Sequence, residues 1–201
     1  MGSLRDTYNQ IARDWAHDHQ SDIWWISGTN TLLNYLWPGA HILDVGCGSG
    51  WKSKYLLNRG FHVTGIDFSD SMIELAREQA PEADFYVLDL MKLGEISKEF
   101  DAIFAQAVLL HIPKRDIRQA IFQLRTKLAL GGYMYLAVKR RQHGQPEEEI
   151  KTERDYGYEY QRFFSYYTQP EIEKLLVELG FCILWIGVTS VWIQFIAQKQ
   201  S

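Results

Sequence analysis

Acidic side chains recur where three short apolar runs of the sequence give way to loops. Asp44 precedes the glycine-rich segment 46–50, and Asp67 and Asp89 end the next two runs. Glycines permit a sharp turn and let a ligand approach the backbone closely, and a helix that begins after the turn offers free N–H groups to an anion. A carboxylate at a strand end can accept hydrogen bonds from ligand hydroxyls. The pattern predicts a ligand site along one edge of a sheet.

The glycine-rich segment differs from two common nucleotide-binding loops. A P-loop requires Gly-Lys-Ser/Thr, which is absent here. The dinucleotide fingerprint requires glycine or alanine at position 51, where the chain has Trp51. Asp44 would also lie unfavourably beside a pyrophosphate, whereas it suits a ligand that carries both an ammonium and a carboxylate group.

Strands and helices are predicted to alternate along the chain. The pattern predicts strands over 41–45, 61–66, 84–88, 101–105 and 133–138, and helices over 4–15, 51–58, 69–79, 114–130 and 170–179. The apolar stretch 181–197 is interrupted by polar residues and glycine, which predicts two strands joined by a turn. The expected fold is therefore α/β, with a Rossmann-like, doubly wound, mainly parallel seven-stranded sheet, one antiparallel strand and helices on both faces.

Segment 42–50, Ile-Leu-Asp-Val-Gly-Cys-Gly-Ser-Gly, resembles motif I (E/D-x-G-x-G-x-G) of the class I S-adenosylmethionine-dependent methyltransferases. The segments that end at Asp67 and Asp89 and the motif-IV-like segment 101–113 extend this resemblance. The N-terminal Tyr-Asn-Gln-Ile-Ala at 8–12 and the C-terminal segment 162–181 are similar to the type 11/25 group, which includes ubiquinone and menaquinone biosynthesis methyltransferases. The resemblance covers essentially the whole chain.

This resemblance implies S-adenosyl-L-methionine as the cofactor, S-adenosyl-L-homocysteine as the product, and no metal. It implies that the loop backbone holds the methionine part, that Asp67 accepts from the ribose diol, and that Asp89 and the next N–H meet the adenine. The cofactor-binding residues implied in this way are Tyr8, Trp15, Asp44, Gly46, Cys47, Gly48, Asp67, Phe68, Met72, Asp89, Leu90, Ala105, Gln106 and Val108.

The resemblance also divides the expected single domain, residues 1–201, into four parts. They are an N-terminal helical cover (4–37), a cofactor-binding core (40–138), an insert or lid (139–167) and a C-terminal helix with a strand pair (168–201). The insert is polar and without clear periodicity, so no secondary structure is predicted there.

Catalysis is expected to need little from the side chains, and no catalytic residue is assigned. A sulfonium is already a good methyl donor, so holding the nucleophile, the methyl carbon and the sulfur in line supplies most of the rate. A base is needed only if the acceptor carries its proton at neutral pH. His111, which matches a frequent histidine before an Ile-Pro turn, is the candidate base, with a structural role as the other interpretation.

The methyl acceptor is expected to be a small molecule. The chain has 21 basic and 25 acidic residues, a net charge of −4, and no long basic run, which makes a nucleic-acid partner unlikely on composition. The Asn/Asp-Pro-Pro-Tyr/Phe signature of amino-methylating nucleic-acid enzymes is also absent after the fourth strand. Two alternatives stay open: a tRNA-modifying methyltransferase of the wobble-uridine type, and a non-catalytic protein that binds S-adenosylmethionine.

Cysteine usage and the termini bear on the compartment. Cys47 and Cys182 are far apart in sequence and lack metal-ligand spacing, which favours reduced thiols and a cytoplasmic protein. No apolar signal region or membrane span is predicted. A monomer or a homodimer is expected.

Overall fold

A computed structural model describes residues 3–201. The helices are α1 (Leu4–His19), α2 (Ile26–Leu33), α3 (Trp51–Leu57), α4 (Asp70–Gln79), α5 (Ile117–Lys127) and α6 (Gln169–Glu178). The strands are β1 (His41–Val45), β2 (His62–Asp67), β3 (Asp84–Val87), β4 (Phe100–Gln106), β5 (Leu128–Lys139), β6 (Glu148–Glu153), β7 (Tyr160–Ser165), β8 (Phe181–Val188) and β9 (Trp192–Lys199). Within residues 3–201, no helix is long and apolar enough to cross a membrane.

Seven strands form one sheet in the order β3-β2-β1-β4-β5-β9-β8. The pairs from β3 to β5 are parallel, and β9 is antiparallel to both of its neighbours, β5 and β8. The predicted Rossmann-like sheet with one reversed strand next to its edge is therefore confirmed. The strand order reverses direction between β1 and β4, so the ligand-binding crevice of such folds is expected at the carboxyl ends of these strands.

The two faces of the sheet carry separate parts of the core. Successive side chains of a strand point to opposite faces, and in β1 Leu43 joins one cluster while Ile42 joins the other. The first cluster packs against α5 and α6, and the second against α2 and α3. Since β1 is buried on both sides, its near-continuous apolar sequence is explained by this two-sided cover.

The end of α5 differs from the sequence expectation. A helix was expected to continue to residue 130, but α5 ends at Lys127 and Leu128 already belongs to β5. Leu128 is fully buried and pairs with Phe100, before a register shift brings Tyr133 opposite Ala102. The apolar residues 128–130 continued the helical pattern in sequence, and burial against β4 overrides it.

The polar insert contains an antiparallel hairpin that the sequence pattern did not predict. β6 and β7 pair from Glu148–Ser165 to Glu153–Tyr160. The hairpin is bound to α1 by hydrogen bonds from the Thr7 hydroxyl to the Gln161 carbonyl (3.0 Å) and from the Tyr158 hydroxyl to Asp14 (2.8 Å). α1 and this hairpin together form what we call the cover.

Candidate functional site

Two adjoining cavities lie between the cover and the carboxyl ends of the parallel strands. The outer cavity, about 440 Å³, extends over the ends of β2 and β3, and the inner cavity, about 60 Å³, lies beneath α1. Both are lined by Gly46, Asp67, Phe68, Val108 and His111. The sheet edge expected to bind a ligand therefore borders a continuous cleft.

The glycine loop after β1 is fixed between two walls of this cleft. Gly46 has a φ of +67°, and a Cβ placed there would lie 2.7 Å from Cγ2 of Val108. On the other side, a Cβ on Gly48 would lie 3.3 Å from the ring of Trp15. The thiol of Cys47 is buried in an apolar cluster and its N–H donates to the Ile66 carbonyl (3.0 Å). The loop can therefore present backbone to a ligand only because glycine occupies these positions.

Asp67, at the end of β2, lines both cavities. Its Oδ2 accepts from the Gly48 N–H (3.1 Å) and its Oδ1 from the Ser69 N–H (2.9 Å). Each carboxylate oxygen retains a second lone pair for a ligand. Burial raises the pKa of Asp67 to about 6. Capping of α4 is performed by Ser69, whose hydroxyl accepts from the Met72 N–H, so Asp67 is left free for a ligand.

The remaining predicted residues line the cleft from different elements. Asp89 and Leu90 line the outer cavity, where Asp89 also accepts from the Met91 N–H (2.8 Å) at the start of a 3₁₀ helix, Leu90–Glu95. The other predicted residues that line the inner cavity are Tyr8, Trp15, Gly48, Met72 and Gln106.

Asp44 and Ala105 line neither cavity. Asp44 is 1% exposed and accepts from the Ser53 hydroxyl at 2.6 Å, and burial raises its pKa to about 6. Ala105 is fully buried in the core. Cys47 is likewise outside the lining of both cavities, and contact of these three residues with a ligand stays a prediction.

His111 joins the cover to the cleft through both ring nitrogens. Nδ1 lies 2.7 Å from the Phe163 carbonyl oxygen of the hairpin, and Nε2 lies 2.7 Å from the Tyr8 hydroxyl of α1. A carbonyl can only accept, so Nδ1 carries the hydrogen and Nε2 accepts from Tyr8. Burial lowers the pKa of His111 to about 3. The candidate base is therefore a neutral imidazole whose free lone pair is already used by Tyr8.

We expect His111 to stay neutral in the folded protein down to pH 5. Its folded pKa lies below the unfolded value of about 6.5, so its contribution to stability is fully present above pH 6.5 and is lost as pH falls toward 3. The expected slope is about 1.4 kcal/mol per pH unit for one proton. ¹⁵N NMR of the ring should report the Nδ1–H tautomer, and an ordinary titration near pH 6.5 in the folded state would contradict the arrangement.

Lys52 also lines the inner cavity and was missed by the sequence reasoning. It lies in the first turn of α3, directly after the glycine loop. A lysine in a first turn opposes the helix dipole, which favours negative charge there. That unfavourable position is the signal that could have marked Lys52 as a binding residue.

Metal-ligating side chains are not grouped in the part of the chain that the structure covers. Among residues 3–201, no three or more His, Cys, Asp or Glu side chains are arranged to hold a metal ion.

Comparisons with known proteins agree with this geometry. The family model described as a methyltransferase domain matches residues 42–132, which contain the glycine loop, Asp67 and Asp89. A solved S-adenosylmethionine-dependent methyltransferase from Methanosarcina mazei superposes with a TM-score of 0.73 at 25% identity, over 85% of this chain and 97% of that one. The chain carries a class I S-adenosylmethionine-dependent methyltransferase domain.

Curated relatives match this methyltransferase domain over part of their own length. A ubiquinone biosynthesis O-methyltransferase of Coxiella burnetii is 32% identical over 107 residues, 51% of this chain and 45% of that protein. A phosphoethanolamine N-methyltransferase of Triticum aestivum is 32% identical over 150 residues, 72% of this chain and 28% of that protein. The chain thus spans a little less than half the length of the first of these relatives, and about a quarter of the second.

Proposed function

We propose that the protein is an S-adenosylmethionine-dependent methyltransferase that transfers a methyl group to a small molecule by in-line displacement. The observation that carries the proposal is Asp67, a strand-end carboxylate with free lone pairs that borders both cavities beside the glycine loop. A ribose with its two adjacent hydroxyls matches such an acceptor pair. A dinucleotide does not fit the loop, because Trp51 stands where that fingerprint needs a small residue.

The cleft fits the cofactor in size and chemistry. Its outer cavity, about 440 Å³, is within the range of small-ligand pockets. Asp89 and Leu90 line this cavity and would meet the adenine, and Phe68 supplies an apolar wall shared by both cavities. When bound, the cofactor supplies an electrophilic methyl group on a positively charged sulfur.

The residues of the chain contribute position and exclusion of water. The loop and Asp67 would fix the donor, and Val108 closes one side of the cleft by packing on Gly46. Tyr8 and His111 join the cover to the sheet edge and keep bulk water out. Holding the reactants in line is worth several kcal/mol of the barrier. No proton transfer by His111 is required in this scheme, since its lone pair is engaged.

The aromatic side chains of the cover are largely used in packing with one another. In the hairpin, Tyr156 stacks on Tyr160 with ring centroids 5.5 Å apart, and in α1 the ring of Tyr8 lies edge-on to that of Trp15 at 6.5 Å. The two matched relatives act on small molecules, according to their names, but methylate oxygen in one case and nitrogen in the other.

We expect the purified protein to bind S-adenosylmethionine and S-adenosylhomocysteine, and to show no comparable affinity for NAD or ATP. The reason is the combination of a carboxylate at the ribose position with a loop that lacks the P-loop and dinucleotide patterns. Isothermal titration calorimetry with the four ligands measures this. Tight NAD binding, with no heat from either adenosyl ligand, would refute the proposal.

The acceptor is found by a product screen. Metabolite pools are incubated with the protein and isotopically methyl-labelled S-adenosylmethionine, and labelled products are identified by mass spectrometry. Two other outcomes would favour one of the two alternative functions instead. A salt-sensitive gel shift with tRNA, accompanied by labelled nucleoside, favours the tRNA-modifying enzyme. Donor binding without any labelled product across the pools and tRNA favours the non-catalytic protein.

A further inference from the structure

The amide of Gln106 is buried without any partner in residues 3–201. The residue is 3% exposed, and neither Oε1 nor Nε2 makes a hydrogen bond within the described chain. Buried polar groups are rarely left unpaired, because each costs about 1–3 kcal/mol. An amide that needs both a donor and an acceptor therefore points to a polar group that is supplied from outside the chain.

This amide lies at the wall of the inner cavity. Gln106 is the last residue of β4, at the ligand-binding edge of the sheet, and it lines the inner cavity and not the outer one. The next residue, Ala107, has a φ of +54°, a strained conformation for a residue with a Cβ. Backbone strain of this kind persists only where the surrounding structure enforces it, and strained residues cluster at ligand and active sites.

A positive charge faces the same cavity. Lys52 lines the inner cavity, and its ammonium forms neither a salt bridge nor a hydrogen bond with any residue from 3 to 201. The carboxylate of Asp44 is directed to the Ser53 hydroxyl instead. The wall of the inner cavity thus contains one lysine and one amide side chain whose polar groups make no hydrogen bond to another side chain or backbone group among residues 3–201.

We propose that Lys52 and Gln106 bind the zwitterionic amino-acid end of the donor, with Lys52 paired to its carboxylate and the Gln106 amide spanning its carboxylate and its ammonium. This inference rests on the proposed function and adds two roles to it. A zwitterion satisfies both halves of the amide at once, which neither a simple anion nor a simple cation does. The inner cavity, at about 60 Å³, has room for an amino-acid end but not for a nucleoside. The nucleoside has the larger outer cavity available.

The subsite selects donors by their amino-acid end. The matched probes are S-adenosylhomocysteine and 5′-methylthioadenosine, which share the adenosine and the thioether but differ in the amino acid. Calorimetry on the wild-type protein should show S-adenosylhomocysteine binding at least about 100-fold more tightly. Lys52→Met should weaken S-adenosylhomocysteine by about 10- to 100-fold, the usual effect of losing a charge-assisted bond, and leave 5′-methylthioadenosine unchanged.

Lys54→Met is the matched control, because Lys54 is exposed on the same helix and lines neither cavity. It should bind both ligands as the wild type does. Lys52→Arg, which keeps the charge, should recover most of the lost affinity, and melting curves check that each variant is folded.

Gln106→Leu should change thermal stability and ligand affinity in opposite directions. Without ligand, its melting temperature should rise, because a buried unpaired amide is replaced by an apolar group of similar shape. Its affinity for S-adenosylhomocysteine should fall about 10-fold, with 5′-methylthioadenosine again unchanged. A melting temperature that falls would show that the amide is satisfied without the ligand, by bound water, and would overturn the role of Gln106.

The two proposals fail in different ways. If the wild type binds neither probe, the proposed function is wrong and the subsite is wrong with it. If the wild type binds S-adenosylhomocysteine tightly but Lys52→Met binds it equally well, or weakens both probes alike, only the subsite is wrong.

Discussion

Gly46→Ala is expected to abolish measurable S-adenosylhomocysteine binding and to destabilise the protein by about 2–5 kcal/mol. A residue with a Cβ in the left-handed conformation at φ +67° costs about 1–2 kcal/mol. The added Cβ would also lie 2.7–2.8 Å from Cγ2 and Cβ of Val108, and overpacking of this kind costs about 1–3 kcal/mol. To relieve it, the loop or Val108 must move into the cleft.

Gly39→Ala is the control that separates backbone strain from the steric clash of the added Cβ. Gly39 has a similar φ of +81°, but a Cβ there would meet nothing within 4 Å. The stability of the Gly39→Ala variant should fall by about 1–2 kcal/mol from backbone strain alone. The affinity of this variant for the cofactor should equal that of the wild type. Urea unfolding and calorimetry on both variants measure these effects. Equal affinity losses in the two variants would mean that the loop at Gly46 is not part of the ligand site.

Asp67→Ala is expected to weaken cofactor binding by about 2–4 kcal/mol, since two charge-assisted hydrogen bonds are lost and water replaces them in part. Asp67→Asn should lose less affinity, because the amide oxygen still accepts.

Wild-type affinity for the cofactor should also fall about tenfold per pH unit below pH 6, where the Asp67 carboxyl becomes protonated, given that burial raises its pKa to about 6. Calorimetry between pH 5 and 8 should show this decrease in the wild type and not in Asp67→Asn.

Asp101→Ala is the matched control for that prediction. Asp101 also accepts a backbone N–H, from His41 at 2.8 Å, but it lies near the start of β4, at the opposite edge of the sheet. Removing it should lower stability by about 1 kcal/mol or somewhat more and leave cofactor affinity unchanged. If Asp67→Ala behaves like Asp101→Ala, with a lower melting temperature and unchanged affinity, Asp67 only ties the loop to β2 and the ribose assignment is wrong.

Local sequence determined the frame of the site. Alternation of apolar runs with helical patterns predicted a parallel sheet, and the carboxyl ends of parallel strands necessarily meet at one edge. Alternation alone therefore grouped the glycine loop with Asp67 and Asp89, and the structure brings Gly46, Gly48 and both acids to one cleft. The N-cap of α4 is equally local, since the Ser69 hydroxyl accepts from the Met72 N–H, only three residues further along the chain.

Tertiary packing decided the chemistry within that frame. The tautomer of His111 depends on Tyr8 and Phe163, which are 103 and 52 residues away in sequence, and no local pattern reports such contacts. The hairpin of β6 and β7 escaped prediction because its first strand is polar and is held in place by pairing with β7, which in turn is bound to α1.

The same dependence on distant neighbours explains why Asp44 faces Ser53 while Lys52 lines the inner cavity. By motif, Asp44 is the expected polar contact of a ligand's amino-acid end, yet packing turns it toward Ser53 and leaves Lys52 and Gln106 at the cavity. Spacing along the chain predicts which strand end a residue occupies. Whether its side chain faces the cleft or the core depends on neighbours that are distant in sequence, and only the tertiary structure brings them together.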